Sequence, residues 1–121
     1  MNSYTGIVQK GPKRGTVLGY PTANIPLKDK NISGIYAARV LLEGEAPYTA
    51  AAYADQKRKL LEAHILDFSD SLYGVSITVE LHKKIREVKA FPDDGALKAA
   101  IAQDIAEIRE TYGGIKIQYS P

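Results

Sequence analysis

The chain contains no cysteine, and only two histidines and one methionine occur in its 121 residues. Without cysteine, a disulfide framework and any metal site built on thiolates are excluded. No apolar run reaches the roughly 20 residues that a membrane-spanning helix requires. The first residues also lack the basic and then apolar segments of a signal peptide. We therefore expect no membrane association, and the cytoplasm is the expected location.

A large excess of charge of either sign is lacking too, since the formal net charge is only +2. So small a charge does not favour nucleic acid as a partner. Dispersed basic residues of this kind usually form solvated surface. They are Lys10, Lys13 and Arg14, the run 57–59, and Lys83, Lys84 and Arg86. The first group differs from the others because glycine and proline interrupt it.

What is present is the composition of an ordinary globular protein, with 45% hydrophobic and 25% charged residues. The length predicts a single domain, residues 1–121, with a core of its own. Residues 75–81 alternate strictly between apolar and polar, which predicts a half-buried strand, and 35–42 is apolar on both faces except at Arg39. Further strands are predicted at 4–9, 48–53 and 60–66, and 82–88 either continues the preceding strand or pairs with it after a bend.

The apolar period changes near the end of the chain, where an amphipathic helix is predicted. Its apolar stripe has spacings of four, four, three and four, at Leu97, Ile101, Ile105, Ile108 and Tyr112. Asp93 or Asp94 can cap the start, and Gly113-Gly114 is expected to end the helix, leaving 115–119 as a last strand or a tail. Short strands followed by one helix indicate a small antiparallel barrel with a helix outside it or across one end.

Glycine and basic residues are combined in the loop 11–15. Its members are Gly11, Lys13, Arg14 and Gly15, with Pro12 between them. Glycines let backbone N–H groups approach phosphate oxygens, and basic side chains neutralise the phosphate charge. The loop is not a Walker A motif, because neither Gly-Lys-Ser nor Gly-Lys-Thr follows. A phosphate-binding loop and a surface turn with solvated bases are both compatible with this pattern.

Thr22 and Asn24 offer a hydroxyl and a carboxamide two residues apart. In an extended segment the two side chains point to the same side, and Pro21 disfavours helix at the residue before it. Such oxygen ligands, together with phosphates and water, suit Mg²⁺. The alternative is a turn in which both side chains bond nearby backbone.

Glu62 alternates with Leu60, His64 and Leu66, so it shares a strand face with two leucines. A carboxylate on a partly apolar face tends to have a raised pKa, which suits a general base that takes a proton from a hydroxyl. The alternative is an edge-strand glutamate that points into solvent. His64 could be a metal ligand, but the sequence offers no partner ligands for it, and a single histidine without partners favours a structural role over metal binding.

In their order and setting, these segments resemble the riboflavin kinase family, a domain that also forms the C-terminal half of bacterial bifunctional FAD synthases. The element Pro21-Thr22-Ala23-Asn24 is highly specific in this setting, and the Glu-x-His-x-x-Asp-Phe element that starts at Glu62 is moderately so. The matching segments extend over most of the chain: Gly6-x-Val8, 11–15, 18–25, 34–37, 61–68, 72–74, 85–91, and the helix with Leu97, Ile101 and Asp104.

The resemblance implies a mainly β fold, a six-stranded antiparallel Greek-key barrel with a C-terminal α-helix. It also implies transfer of the γ-phosphoryl group of ATP to the 5′-hydroxyl of riboflavin, giving FMN and ADP. Glu62 would be the base, Thr22 and Asn24 would bind magnesium (or another divalent cation) and phosphate, and Arg86 would lie at the flavin. The loop Gly11, Lys13, Arg14 and Gly15 would cover the nucleotide phosphates. Small-molecule substrates and a monomer are expected, without nucleic acid or membrane.

The sequence departs from the family pattern at two places. Thr16 stands where the family usually has arginine, and the segment 50–60 is short and lacks the family's Gly-x-x-Pro-Thr element. The second departure leaves open a kinase-like module that binds flavin or nucleotide with little turnover, and a generic β-barrel interaction domain is a third reading. Retention of Thr22, Asn24 and Glu62 favours an enzyme, because a pure binding module needs no general base. No His-x-Gly-His motif is present, so we do not expect this chain to convert FMN to FAD.

Overall fold

The computed structural model describes residues 2–12, 16 and 18–118, and for 113–118 it describes the backbone alone. The chain divides into two compact units, Met1–Val88 and Lys89–Pro121. The first unit contains a six-stranded sheet, and the second contains a long helix. No helix among the described residues is long and apolar enough to cross a membrane.

The strands of the first unit form a nearly closed antiparallel barrel, as the sequence predicts. Their spatial order is β1-β6-β3-β4-β5-β2. A backbone bridge between Gln9 and Asn24 links the two edges of the sheet, with the Gln9 N–H donating to the Asn24 carbonyl at 2.8 Å. The strands are β1 (Asn2–Ile7), β2 (Ala23–Pro26), β3 (Gly34–Leu41), β4 (Tyr48–Asp55), β5 (Leu60–Ile65) and β6 (Ser76–Arg86).

The two faces of β4 and β5 have different roles because side chains alternate along a strand. The inner face belongs to the buried core and is formed by Ala50, Ala52, Ala54, Leu61, Ala63 and Ile65. Tyr53 and Asp55 of β4 therefore lie on the opposite face, as do Glu62 and His64 of β5. The outer face of this strand pair therefore carries the polar and titratable side chains that could take part in a reaction.

Most predicted strands are confirmed, with shifted ends. The first strand is Asn2–Ile7 rather than 4–9, and Val75 is exposed and precedes its strand. Residues 82–86 continue β6 as one 11-residue strand, so the alternative of a bend and a separate partner is wrong. Two register shifts in β3 against β6 accompany this length, as β-bulges do when a sheet curls. The four-residue β2 is too short to show a period of its own.

The helix of the second unit, α1, is Asp94–Gln118. Its start is capped as predicted, since Asp93 Oδ1 accepts the N–H of Ala96 at 2.8 Å. The predicted end at Gly113-Gly114 is wrong, because the helix continues to Gln118 and 115–118 are not a strand. Glycine costs about 1 kcal/mol in a helix but keeps its N–H donor, so it disfavours a helix without breaking it. Tyr119 lies outside the described residues.

Candidate active site

A row of cross-strand partners runs over the barrel surface and joins several of the predicted site positions. Asn24 pairs with Glu62, Glu62 with Tyr53, Tyr53 with Ile35, and Ile35 with Arg86. We call these five residues the site row. Because neighbouring strands lie about 4.8 Å apart, Arg86 is roughly 15 Å from Glu62 along the row. Pairing across four strand boundaries thus brings together residues from very different parts of the sequence.

Thr22 and Asn24 point to the same side, as their spacing predicts. The Thr22 hydroxyl donates to Asn24 Oδ1 at 3.0 Å, and Asn24 is only 4% exposed. The two side chains bond each other in an extended segment, so the predicted alternative of a turn that bonds nearby backbone is wrong. Two neutral oxygen atoms at this separation are close enough to be ligands of one cation, and both are of the hard type that Mg²⁺ prefers.

The start of the glycine-rich loop packs directly on Asn24. A Cβ at Gly11 would lie 2.6 Å from Asn24 Nδ2 and 2.7 Å from its Cγ, so any side chain at position 11 would collide with the carboxamide. The predicted phosphate-loop residues Lys13, Arg14 and Gly15 lie outside the described residues. The described part of the loop therefore meets the predicted cation ligands at Gly11.

Glu62 is a buried carboxyl group in the middle of the sheet. It is 9% exposed, and its strand β5 lies between β4 and β2, so the alternative of an edge-strand glutamate in solvent is wrong. The pKa of Glu62 is raised from 4.5 to about 7, chiefly by burial and then by the charge of Asp55 and a hydrogen bond with that residue, while Arg58 acts in the opposite direction. A pKa near neutrality is the property that a general base requires.

Asp55 was not predicted as a site residue, yet it is 1% exposed and lies on the same face as Glu62. Its Oδ1 accepts the backbone N–H of Arg58 at 3.1 Å, and its Oδ2 accepts Arg58 Nη1 at 3.2 Å. The next residue, Gln56, donates its Nε2 to the carbonyls of Asp29 and Ile32 at 2.7 and 2.6 Å. The segment 50–60, which lacks the family's Pro-Thr element, therefore consists of the end of β4 and a hydrogen-bonded turn at 56–59 that is anchored to a neighbouring loop.

His64 contacts the segment that carries the predicted cation ligands. Its Nδ1 lies 2.7 Å from the carbonyl oxygen of Pro21, and its ring meets Tyr20 edge-on, with centroids 5.4 Å apart and an interplanar angle of 86°. These contacts agree with the structural role expected for this histidine. Within the described residues, no cluster of three or more His, Asp or Glu side chains could hold a metal ion.

A cavity of about 320 Å³ opens beside Thr22. Thr16, which replaces an arginine of the family pattern, lines it, as does the apolar and polar loop 68–73. The remaining walls come from Val8, from residues 21–23, and from Ala63 and Ile65 of β5. The cavity thus adjoins Thr22 and the inner face of β5, whereas Glu62 lies on the outer face of that strand.

Arg86 ends β6 at the other end of the site row, away from the residues that line the cavity. Its Nη1 donates to the carbonyl of Glu87 at 3.2 Å. Gly34 has a φ of +97°, and a Cβ there would lie 2.5 Å from the Arg86 carbonyl oxygen, so glycine is required for this close approach of the two backbones.

Tyr53 and Asp55 were not predicted as site residues. Their two-residue spacing places them on one face of β4, but their position beside Glu62 depends on strand register, which the sequence does not show.

Comparison with known proteins agrees with this architecture. The riboflavin kinase family model, Flavokinase, matches residues 2–112. The bifunctional riboflavin kinase/FMN adenylyltransferase of Escherichia coli K12 is 39% identical in an alignment 117 positions long that covers 90% of this chain and 37% of that protein. The chain therefore spans little more than a third of the length of this relative.

Solved structures show the same fold. A Streptococcus pneumoniae structure described as a macrolide-efflux protein superposes with a TM-score of 0.75 and 28% identity, over 88% of this chain and 38% of that chain. Riboflavin kinase from Trypanosoma brucei superposes with a TM-score of 0.72 and 22% identity, over 96% of this chain and 79% of that chain. The family match covers the barrel and most of the helix, and it includes every predicted site residue. The chain belongs to the riboflavin kinase family.

Proposed function

We propose that this chain is an ATP-dependent riboflavin kinase, which transfers the γ-phosphoryl group of ATP to the 5′-hydroxyl of riboflavin and releases FMN and ADP. One observation carries the proposal. Glu62, with its pKa near 7, lies directly across from Asn24, whose carboxamide meets the hydroxyl of Thr22. A base for the acceptor alcohol thereby adjoins the oxygen atoms suited to a phosphate-bound cation.

The nucleotide is proposed to bind on the Thr22 side. Its phosphates would extend from the cavity towards Gly11, where a glycine leaves room for close approach to the backbone. Thr22 and Asn24 would hold Mg²⁺, since both side chains present neutral oxygen and the carboxamide is rigidly placed in β2. When bound, the cation supplies charge neutralisation for the transferring phosphoryl group.

The flavin is proposed to lie along the site row, on the Arg86 side of Glu62. Tyr53 and Ile35 are half-buried and form the middle of this row, and Arg86 ends it. A length of roughly 15 Å fits a tricyclic ring followed by a five-carbon chain, with the terminal hydroxyl at Glu62. Tyr53 offers an aromatic face for a planar ring.

In the proposed reaction, the Glu62 carboxylate accepts the proton of the ribityl 5′-hydroxyl while that oxygen forms a bond to the γ-phosphorus. The bond between this phosphorus and the bridging oxygen breaks, and its electron pair leaves with ADP. The protonated Glu62 returns its proton to water after FMN departs. Burial of Glu62 keeps the carboxylate basic enough for this step near neutral pH.

The test is incubation of the chain with riboflavin and ATP, with and without Mg²⁺, followed by chromatographic detection of FMN. We expect FMN to form only when a divalent cation is present. Absence of FMN at high enzyme and ATP concentrations would contradict the proposal. Flavin binding without turnover would instead support the binding-module alternative, which the short turn after Asp55 favours. The monomeric state and the cytoplasmic location stay predictions.

A further inference from the structure

We propose that His64 is a positioning residue that fixes the peptide before Thr22 and so presets the cation-binding oxygens of Thr22 and Asn24. The inference rests on the proposed function, in which those two residues hold a divalent cation. It assigns His64 no contact with substrate. Its task is to hold one backbone carbonyl in place.

The sheet itself does not hold Thr22. Pairing of β2 with β5 begins at Ala23, opposite Ala63, so Thr22 lies just outside the ladder. His64 follows Ala63, and its side chain reaches the carbonyl of Pro21 at 2.7 Å. The imidazole therefore attaches the segment to β5 beyond the point where backbone pairing stops.

The direction of this hydrogen bond follows from its partners. A carbonyl oxygen only accepts, so the hydrogen lies on Nδ1 of His64, and Nδ1–H donates to Pro21. The Pro21 carbonyl shares a planar peptide unit with the nitrogen and Cα of Thr22. Fixing that oxygen therefore fixes where the Thr22 side chain starts, which in turn sets its 3.0 Å contact with Asn24.

His64 is itself well placed for this task. It belongs to β5 and pairs with Ala51 of β4, and its ring packs edge-on against Tyr20, the residue before Pro21. Glu62 lies two residues away on the same strand face. One strand thus carries the proposed base and the group that aligns the proposed cation ligands. Outer-shell contacts of this kind typically change metal affinity by about 10- to 100-fold when removed.

Two variants separate the hydrogen bond from the ring. His64→Phe keeps an aromatic ring against Tyr20 and loses the donor, whereas His64→Asn keeps an N–H near the Nδ1 position and loses the ring. Binding of Mn²⁺ with ADP, followed by electron paramagnetic resonance, reports the cation site without any turnover. We expect about tenfold or greater weakening in His64→Phe and near wild-type binding in His64→Asn.

Kinetics give the second readout. In His64→Phe the Mg²⁺ concentration needed for half-maximal activity should rise while the KM for riboflavin stays unchanged. Normal Mn²⁺–ADP binding in His64→Phe, or an equal loss in both variants, would overturn the proposal. If wild-type protein binds Mn²⁺–ADP but makes no FMN, the proposed function fails and the His64 comparison still stands.

A third measurement needs no variant and covers the case in which His64→Phe does not fold. Nitrogen-15 spectra of the wild-type histidines should show the His64 proton on Nδ1. A neutral His64 protonated on Nε2 alone would refute the hydrogen bond to Pro21 and the proposal with it.

Discussion

Asn24 and Glu62 are cross-strand partners in β2 and β5, and both are buried. Directly opposed residues of an antiparallel pair have Cβ atoms about 4.5–5.5 Å apart. A proposed cation ligand and the proposed base are therefore neighbours across one rung of the sheet, although 38 positions separate them in the sequence. Phosphoryl transfer has little covalent chemistry for a protein to perform, so rigid placement of these two groups is the main requirement.

The first prediction concerns the base. Glu62→Gln keeps the size and hydrogen-bonding capacity of the side chain but cannot accept a proton. We expect turnover to fall by roughly 10²–10⁴, the usual contribution of a positioned acid–base group, with riboflavin and nucleotide binding retained. Steady-state kinetics and flavin titration measure the two effects. The matched control is Glu43→Gln, at an exposed carboxylate on the β3–β4 turn, which should leave kcat unchanged. Near-normal kcat in Glu62→Gln would remove this residue from the mechanism.

The second prediction is an opposed pH dependence of stability and activity. The pKa of Glu62 is raised from 4.5 to about 7, so between these values the folded state keeps a proton that the unfolded state has lost. The free energy of unfolding should therefore fall by at most roughly 3 kcal/mol as pH rises from about 4.5 to about 7. Above that pH it should stay level with respect to this group. Activity should rise over the same interval as Glu62 ionises. Urea unfolding of the wild type and of Glu62→Gln at several pH values isolates this contribution. If the free energy of unfolding depends on pH in the same way in both proteins, the prediction is contradicted.

A third prediction separates the causes of the raised pKa of Glu62. Asp55→Asn removes the neighbouring negative charge but keeps an oxygen that can accept the N–H of Arg58. The acid limb of the pH–rate profile should move to lower pH. Burial is the largest cause of the raised pKa of Glu62, and the substitution leaves it unchanged. The midpoint of the acid limb should therefore stay above the ordinary pKa range of a glutamate. A limb that does not move would show that Asp55 has no influence on the base.

The fourth prediction tests the cation ligands. Thr22→Ala and Asn24→Ala should each lower turnover by about a hundredfold or more, as expected when one charge-stabilising contact is lost. Thr22→Ser keeps the hydroxyl and is the matched control, with activity close to that of the wild type. Added Mg²⁺ should partly restore Thr22→Ala. Circular dichroism must show folded protein, and variants that unfold instead would identify these residues as structural.

Local sequence pattern predicts the strands and the N-cap Asp93 well, because alternation and capping depend on neighbours in the chain. The family resemblance supplies the closed barrel, and Thr22, Asn24 and Glu62 lie near one another as it implies. The contacts of Asp55 and His64 could not be predicted, since they depend on strand register and, for His64, on a partner 43 positions away in the sequence. The helix end at Gly113-Gly114 was wrong because glycine weakens a helix without removing its hydrogen bonds.

The last prediction concerns the contact between Gly11 and Asn24. Gly11 lies outside the left-handed backbone region, so alanine is allowed there by its own φ. The three atoms nearest to an added Cβ all belong to the Asn24 carboxamide, at 2.6 to 3.2 Å. Gly11→Ala should therefore displace this carboxamide, cost about 1–3 kcal/mol of stability, and lower turnover through the misplaced ligand.

A double-mutant cycle tests this cause directly. In the Asn24→Ala background the colliding atoms are absent, so Gly11→Ala should cost little further stability. Urea unfolding of the wild type, both single variants and the double variant gives the coupling between the two positions. If Gly11→Ala costs the same in both backgrounds, the collision with Asn24 is not its cause, and the proposed contact between loop and cation site loses its support. A cost confined to the wild-type background would show that glycine at position 11 exists to leave room for the Asn24 carboxamide.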